Sequence, residues 1–83
     1  MESPEPVSLG ALLLAARSAR AENQQTVADA AAGLELGIDD SALSLWERDR
    51  RMPSLRQLAW LLDYYGATDQ QRATAVRLAG QRL

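Results

Sequence analysis

Apolar residues return every three or four positions along almost the entire chain, the interval of helices with one buried face. Alanine and leucine supply most of these positions and β-branched residues are scarce, so strands have little to build on. The first helix is expected from about Ser8 to Ala21, capped by Ser8, with Leu9, Leu12, Leu13, Ala16 and Arg20 on one face. The second starts near Asn23, a good N-cap, carries Val27, Ala28 and Ala31, and weakens at Gly33. "GLELG", residues 33–37, reads as a helix end and turn. The third helix follows Asp39 or Asp40 and runs to about Arg48, with Leu43 and Trp46 toward the core. Pro53 stops it. Ser54 with Gln57 then forms a capping box for a fourth helix, whose inner arc is Leu55, Leu58, Ala59, Leu62 and Tyr65 up to Gly66. Thr68 with Gln71 repeats the box for a fifth, where Val76, Ala79 and Leu83 recur at helical spacing. The expectation is an all-α, five-helix domain over residues 8–83, without internal repeats.

Eighty-three residues make one domain, near the lower size at which a single core suffices. With neither cysteine nor histidine there is no disulfide framework, thiol nucleophile, histidine base or ordinary zinc site. No cofactor and no enzymatic activity are expected, because nucleophile, metal and phosphate-loop motifs are all missing. No apolar run approaches the ~18 residues of a membrane span, so no membrane partner is expected. "MESPEPVS" is acidic and proline-rich, the opposite of a signal peptide's basic entry, and residues 1–7 read as a flexible lead. The absence of cysteine fits a cytoplasmic location.

Charge gives a divided message. The net charge is -2, which argues against a nucleic-acid partner. Salt, however, confines charge effects to about 10 Å, so distribution matters more than the sum. In "ALSLWERDRRMPS", residues 42–54, Arg48, Arg50 and Arg51 crowd the end of the third helix. Either they neutralise phosphates there, or they only complement the helix dipole, at roughly 0.3–1 kcal/mol each. Glu47 and Asp49, interleaved with them, would partly cancel their charge. Gln24 and Gln25, near the start of the second helix, are placed to donate to phosphate beside the positive end of its dipole, or are solvated helix formers.

Four segments carry a resemblance to the phage-repressor-like, or XRE-type, helix-turn-helix domains. "LGALLLAARSARAENQQTVADAA" looks like the first two helices of that family. "SALSLWERDRRMPS" is similar to its S-x-I-S-x-I-E-x-G-x-R-x-P-S segment, "LRQLAWLLDYYGATD" resembles its fourth helix and turn, and "QQRATAVRLAG" the fifth helix of an actinobacterial branch. The resemblance covers residues 8 to about 80 and implies sequence-specific binding of double-stranded DNA for transcriptional control, with the third helix (about 39–48) in the major groove. It puts Gln24 at a phosphate-contacting position, and Asp40, Ser41 and Leu45 where base-reading side chains project, with Ser44 on the adjoining edge. Glu47 matches a glutamate that pairs with a basic residue of the first helix, here Arg17, and that pair is structural. The chain departs from the pattern in two places. The link between the second and third helices is longer than the usual turn, and Asp39, Asp40, Ala42 and Leu45 stand where basic or amide side chains are common.

A competing expectation is a protein-interaction module, antitoxin-like or regulator-binding, on the same scaffold. The acidic balance, the longer link, Leu45 and two aromatics favour it. Trp60 and Tyr64 lie four apart on the fourth helix, away from its inner arc, and serve either packing or a protein partner. A homodimer also fits, since repressor-like domains commonly read two half-sites related by two-fold symmetry.

Overall fold

Helices begin in this chain where a side chain can take over a backbone amide that the first turn leaves without a partner. The computed structural model describes residues 8–81. The expected lead over residues 1–7 lies outside the described residues, as does Leu83. Helix α1 (Leu9–Ala19) opens on Ser8, whose hydroxyl accepts from the Ala11 N–H. Asn23 does the same for α2 (Gln24–Ala31), and Asp39 for α3 (Asp40–Glu47). Helix α4 (Leu55–Tyr64) starts with the reciprocal box of Ser54 and Gln57. Thr68 and Gln71 exchange the same two bonds ahead of α5 (Asp69–Gln81). Every expected cap is made, and the five helices form an all-α domain with no strand among the described residues.

Helix ends follow one pattern at three places. After α1, α3 and α4 the chain turns left-handed at Ala21 (φ 56°), Asp49 (φ 57°) and Gly66 (φ 66°). The amide of the next residue reaches back over the last turn: Glu22 N–H to the Arg17 carbonyl, Arg50 to Leu45, Ala67 to Leu62. This closure satisfies the last carbonyls of each helix. Only Gly66 adopts that backbone without a Cβ penalty.

Helix α3 packs against both α1 and α2, and α5 packs against α1. The core comprises Leu9, Leu12, Leu13 and Ala16 of α1, Val27, Ala28 and Ala31 of α2, Ile38, Leu43 and Trp46, with Leu58, Leu61, Leu62, Tyr65, Ala75, Leu78 and Ala79 from the last two helices. Three expectations need correction. Arg20 does not share the buried face of α1 but caps its exposed end. On α4 the inner face is Leu58, Leu61, Leu62 and Tyr65, whereas Leu55 is 74 % exposed and Ala59 is also at the surface. On α5 the buried positions are Ala75, Leu78 and Ala79, and Val76 is 61 % exposed. The small residues at 75 and 79 let α5 lie close to α1, which turns Val76 outward.

Gly10 fixes how closely α1 meets the end of α3. A Cβ built there would lie 2.6 Å from the Trp46 carbonyl oxygen and 2.7 Å from that of Glu47. The positive start of α1 thus abuts the negative end of α3, a favourable meeting of dipoles that only a glycine permits.

Candidate nucleic-acid interface

The outer stripe of α3 is polar at its start and cationic just past its end, with Leu45 between. Beside it runs an open cleft of about 420 Å³, lined by Gln24, Asp40, Ser41, Ser44, Leu45 and Arg48. Six of the nine residues singled out from the sequence therefore line one depression, where the start of α2 comes alongside α3. Gln25, Arg50 and Arg51 are not part of its lining. Gln25 is exposed, and its amide donates to Asp29 Oδ1 one turn along α2 at 2.8 Å. Arg50 and Arg51 are exposed in the connection to α4.

Glu47 anchors this arrangement from the buried side, through Gln24. Its side chain is only 4 % exposed. Arg17 clamps it with two parallel bonds, Nε to Oε2 at 2.7 Å and Nη2 to Oε1 at 2.8 Å. Arg17 Nη1 also donates to the Glu22 carbonyl at 2.9 Å, tying in the turn between α1 and α2. Hydrogen bonding to Glu47 holds the Arg17 guanidinium above its ordinary pKa. The expected ion pair is thus present. What the sequence did not reveal is that Gln24 joins it, its Nε2 donating to Glu47 Oε1 at 3.0 Å. That bond takes one amide hydrogen of Gln24 and leaves its oxygen and second N–H without a partner among the described residues. Tyr65 lies near the same pair. Burial first, and then the Glu47 charge, raises its phenol above the ordinary value, and the hydroxyl has no hydrogen-bond partner among the described residues.

The acids interleaved with the arginines do not cancel them, because they turn the other way. Glu47 points inward to Arg17 and Gln24. Asp49 folds back so that its Oδ1 accepts from the Gly10 N–H at 2.9 Å, capping the first turn of α1. Its left-handed backbone falls where the resembling family segment carries glycine. Arg48, Arg50, Arg51 and Arg56 remain exposed and make no ion pair among the described residues. Arg56, exposed in the first turn of α4, is a further cation that the sequence does not single out, because one charge on the outer face of a helix is indistinguishable from ordinary solvated surface. Asp39 and Asp40 are also partly occupied: Asp39 Oδ1 accepts from Ala42 N–H at 2.7 Å, and Asp40 Oδ1 from Ser41 N–H at 2.9 Å.

Trp60 and Tyr64 stack on each other with ring centroids 5.0 Å apart, and the Arg20 guanidinium lies 5.1 Å from the Tyr64 centroid. Both aromatics are half-buried and pack against the core. The Tyr64 hydroxyl donates to Glu22, which also accepts from Arg20. Tyr64 first, then Arg20, holds the Glu22 carboxyl below its usual pKa. Those partners make the aromatic pair a brace between α4 and the α1–α2 turn.

No helix among the described residues is long and apolar enough to cross a membrane. Among the same residues no group of three or more acidic side chains is gathered to hold a metal ion. Neither a family model, a curated protein nor a solved structure matches the chain.

Proposed function

We propose that this protein is a DNA-binding transcriptional regulator of the helix-turn-helix type, without enzymatic activity, working from the cytoplasm. The reading rests on the resemblance given above and on one observation: in an acidic molecule, the acids between the arginines are turned inward, and the arginines outward. Exposed guanidinium groups without acidic partners are suited to phosphate, and neutralising phosphates releases counterions. In this reading α3 lies along the major groove with Ser41, Ser44 and Leu45 toward base edges. Gln24, held by Glu47, and Arg48, Arg50, Arg51 and Arg56 contact the backbone. Two copies bound as a homodimer would read two half-sites.

The test is the salt dependence of binding to a random duplex pool. Replacing Arg50 and Arg51 with Ala is expected to weaken binding to all sequences alike. It should also reduce the slope of log K against log salt by about 2, at roughly 0.9 for each phosphate no longer neutralised. An unchanged slope would remove these arginines from the interface. Absence of duplex binding by the unaltered chain would favour the second reading, a protein-interaction module. The net charge of -2 and the partly exposed Leu45 on the outer stripe of α3 support that alternative, because an acidic molecule with an apolar side chain amid that stripe is suited to a protein partner.

A further inference from the structure

Asp40 is the acceptor that stands out in the cleft. Its Oδ1 accepts from Ser41 N–H, and no contact to another described residue engages its Oδ2. At the opposite end of the lining is Arg48, eight residues and about 12 Å further along the helix, a span of three to four base pairs. The cleft therefore has polarity: an acceptor at the start of α3, an apolar side chain at Leu45, a donor at Arg48.

We infer that Asp40 is a specificity-determining residue that selects cytosine, by accepting from the N4 amino group in the major groove; the inference rests on the DNA-binding reading above. The other three bases are excluded by what their own edges present. Guanine offers N7 and O6 there and thymine O4, all acceptors, which a carboxylate repels. Adenine has an amino group but also N7 beside it, so the second carboxylate oxygen meets a lone pair. Cytosine N4 has no such neighbour. Ser41 and Ser44, able both to donate and to accept, discriminate little. The carboxylate keeps its bond to Ser41 N–H throughout, so its direction is set before any duplex arrives.

The replacement Asp40→Asn separates the two amino-bearing bases. An asparagine retains an oxygen for the Ser41 amide and adds an amide hydrogen, which suits the N6 and N7 pair of adenine. The experiment is enrichment of bound sequences from random duplexes with the full chain, followed by titration of the enriched site and its single-base variants. The unaltered chain is expected to fix a cytosine in the site, with a preference of roughly 5- to 150-fold over the other bases. Asp40→Asn should move that position to adenine, Asp40→Glu should keep cytosine, and Asp40→Ala should leave the position undetermined. Helical circular dichroism checks that each variant folds, and either of Asp40→Asn and Asp40→Ala carries the test against the unaltered chain if the other does not. The same preferred base in all variants would overturn the inference. So would salt-dependent duplex binding without a cytosine preference, which would leave the DNA-binding reading standing. Failure of the unaltered chain to bind any duplex would sink both.

Discussion

At its C-terminal end α3 is held by the rest of the molecule; at its N-terminal end it is held largely by itself. Glu47 is clamped by Arg17 and reached by Gln24, and the last carbonyls of α3 lie against Gly10 with no room for a Cβ. Asp49 completes that junction by capping α1. At the other end, Asp39 and Asp40 bond to amides of their own helix, both are exposed, and Ile38 is the nearest buried anchor. The difference separates two kinds of consequence. Substitutions at the C-terminal end act on several helices and are felt as lost stability. Those at the N-terminal end act on one turn and are felt in what the cleft presents.

Glu47→Ala should break this contrast most severely. It leaves the half-buried Arg17 guanidinium without its carboxylate and Gln24 without its acceptor, at a cost of about 2–4 kcal/mol in urea unfolding. Replacing Arg17 with Met and Glu47 with Leu together is expected to recover most of that loss while leaving Gln24 without its anchor. Gly10→Ala comes next. Helix propensity alone would make it stabilising by about 1 kcal/mol. The carbonyls of Trp46 and Glu47 instead impose a net loss of about 1–3 kcal/mol, because the backbone of α3 must move. A stabilised Gly10→Ala chain would mean that α1 and α3 do not meet this closely. Asp39→Ala, at the self-held end, should cost about 1 kcal/mol, the loss of one N-cap. A cost equal to that of Glu47→Ala would erase the distinction between the ends.

Tyr65 gives the smallest effect at neutral pH and sharpens the electrostatic side of the comparison. Its folded pKa is raised by burial and by Glu47, so the folded chain keeps the phenol proton after the unfolded chain has lost it. The associated stability is fully present below about pH 10 and declines as pH rises above it. Tyr65→Phe removes that dependence and a buried hydroxyl without a partner among the described residues. Urea midpoints are expected to be equal or slightly higher than those of the unaltered chain at pH 7, and to fall less steeply toward pH 11.

How much could be read in advance divides along local and tertiary lines. All the caps were legible, because a Ser, Asn, Asp or Thr and its target amide lie within three residues of each other. Helix ends were less so. Gly66 announced its turn, whereas Ala21 and Asp49 adopt the same left-handed backbone without the residue that advertises it. On α4, the arcs 55-58-59-62-65 and 58-61-62-65 share three members, and spacing alone cannot choose between them. What decides is where neighbouring helices begin and end, and Leu55 in the first turn lies beyond the core's edge. At the candidate site, the Arg17–Glu47 pair was named through the resemblance, and the grouping of Gln24 with the α3 stripe is seen in the cleft lining. The inward turn of Asp49 was not visible, since it depends on a glycine 39 positions earlier.

That inward turn has a practical consequence for handling the protein. A net charge of -2 predicts retention on an anion exchanger and rejection by a cation exchanger. With its arginines displayed and their neighbouring carboxylates tucked away, the molecule is two-faced to a charged resin. It is expected to hold to sulfated matrices such as heparin at low ionic strength, under the same buffer in which it also binds quaternary amines.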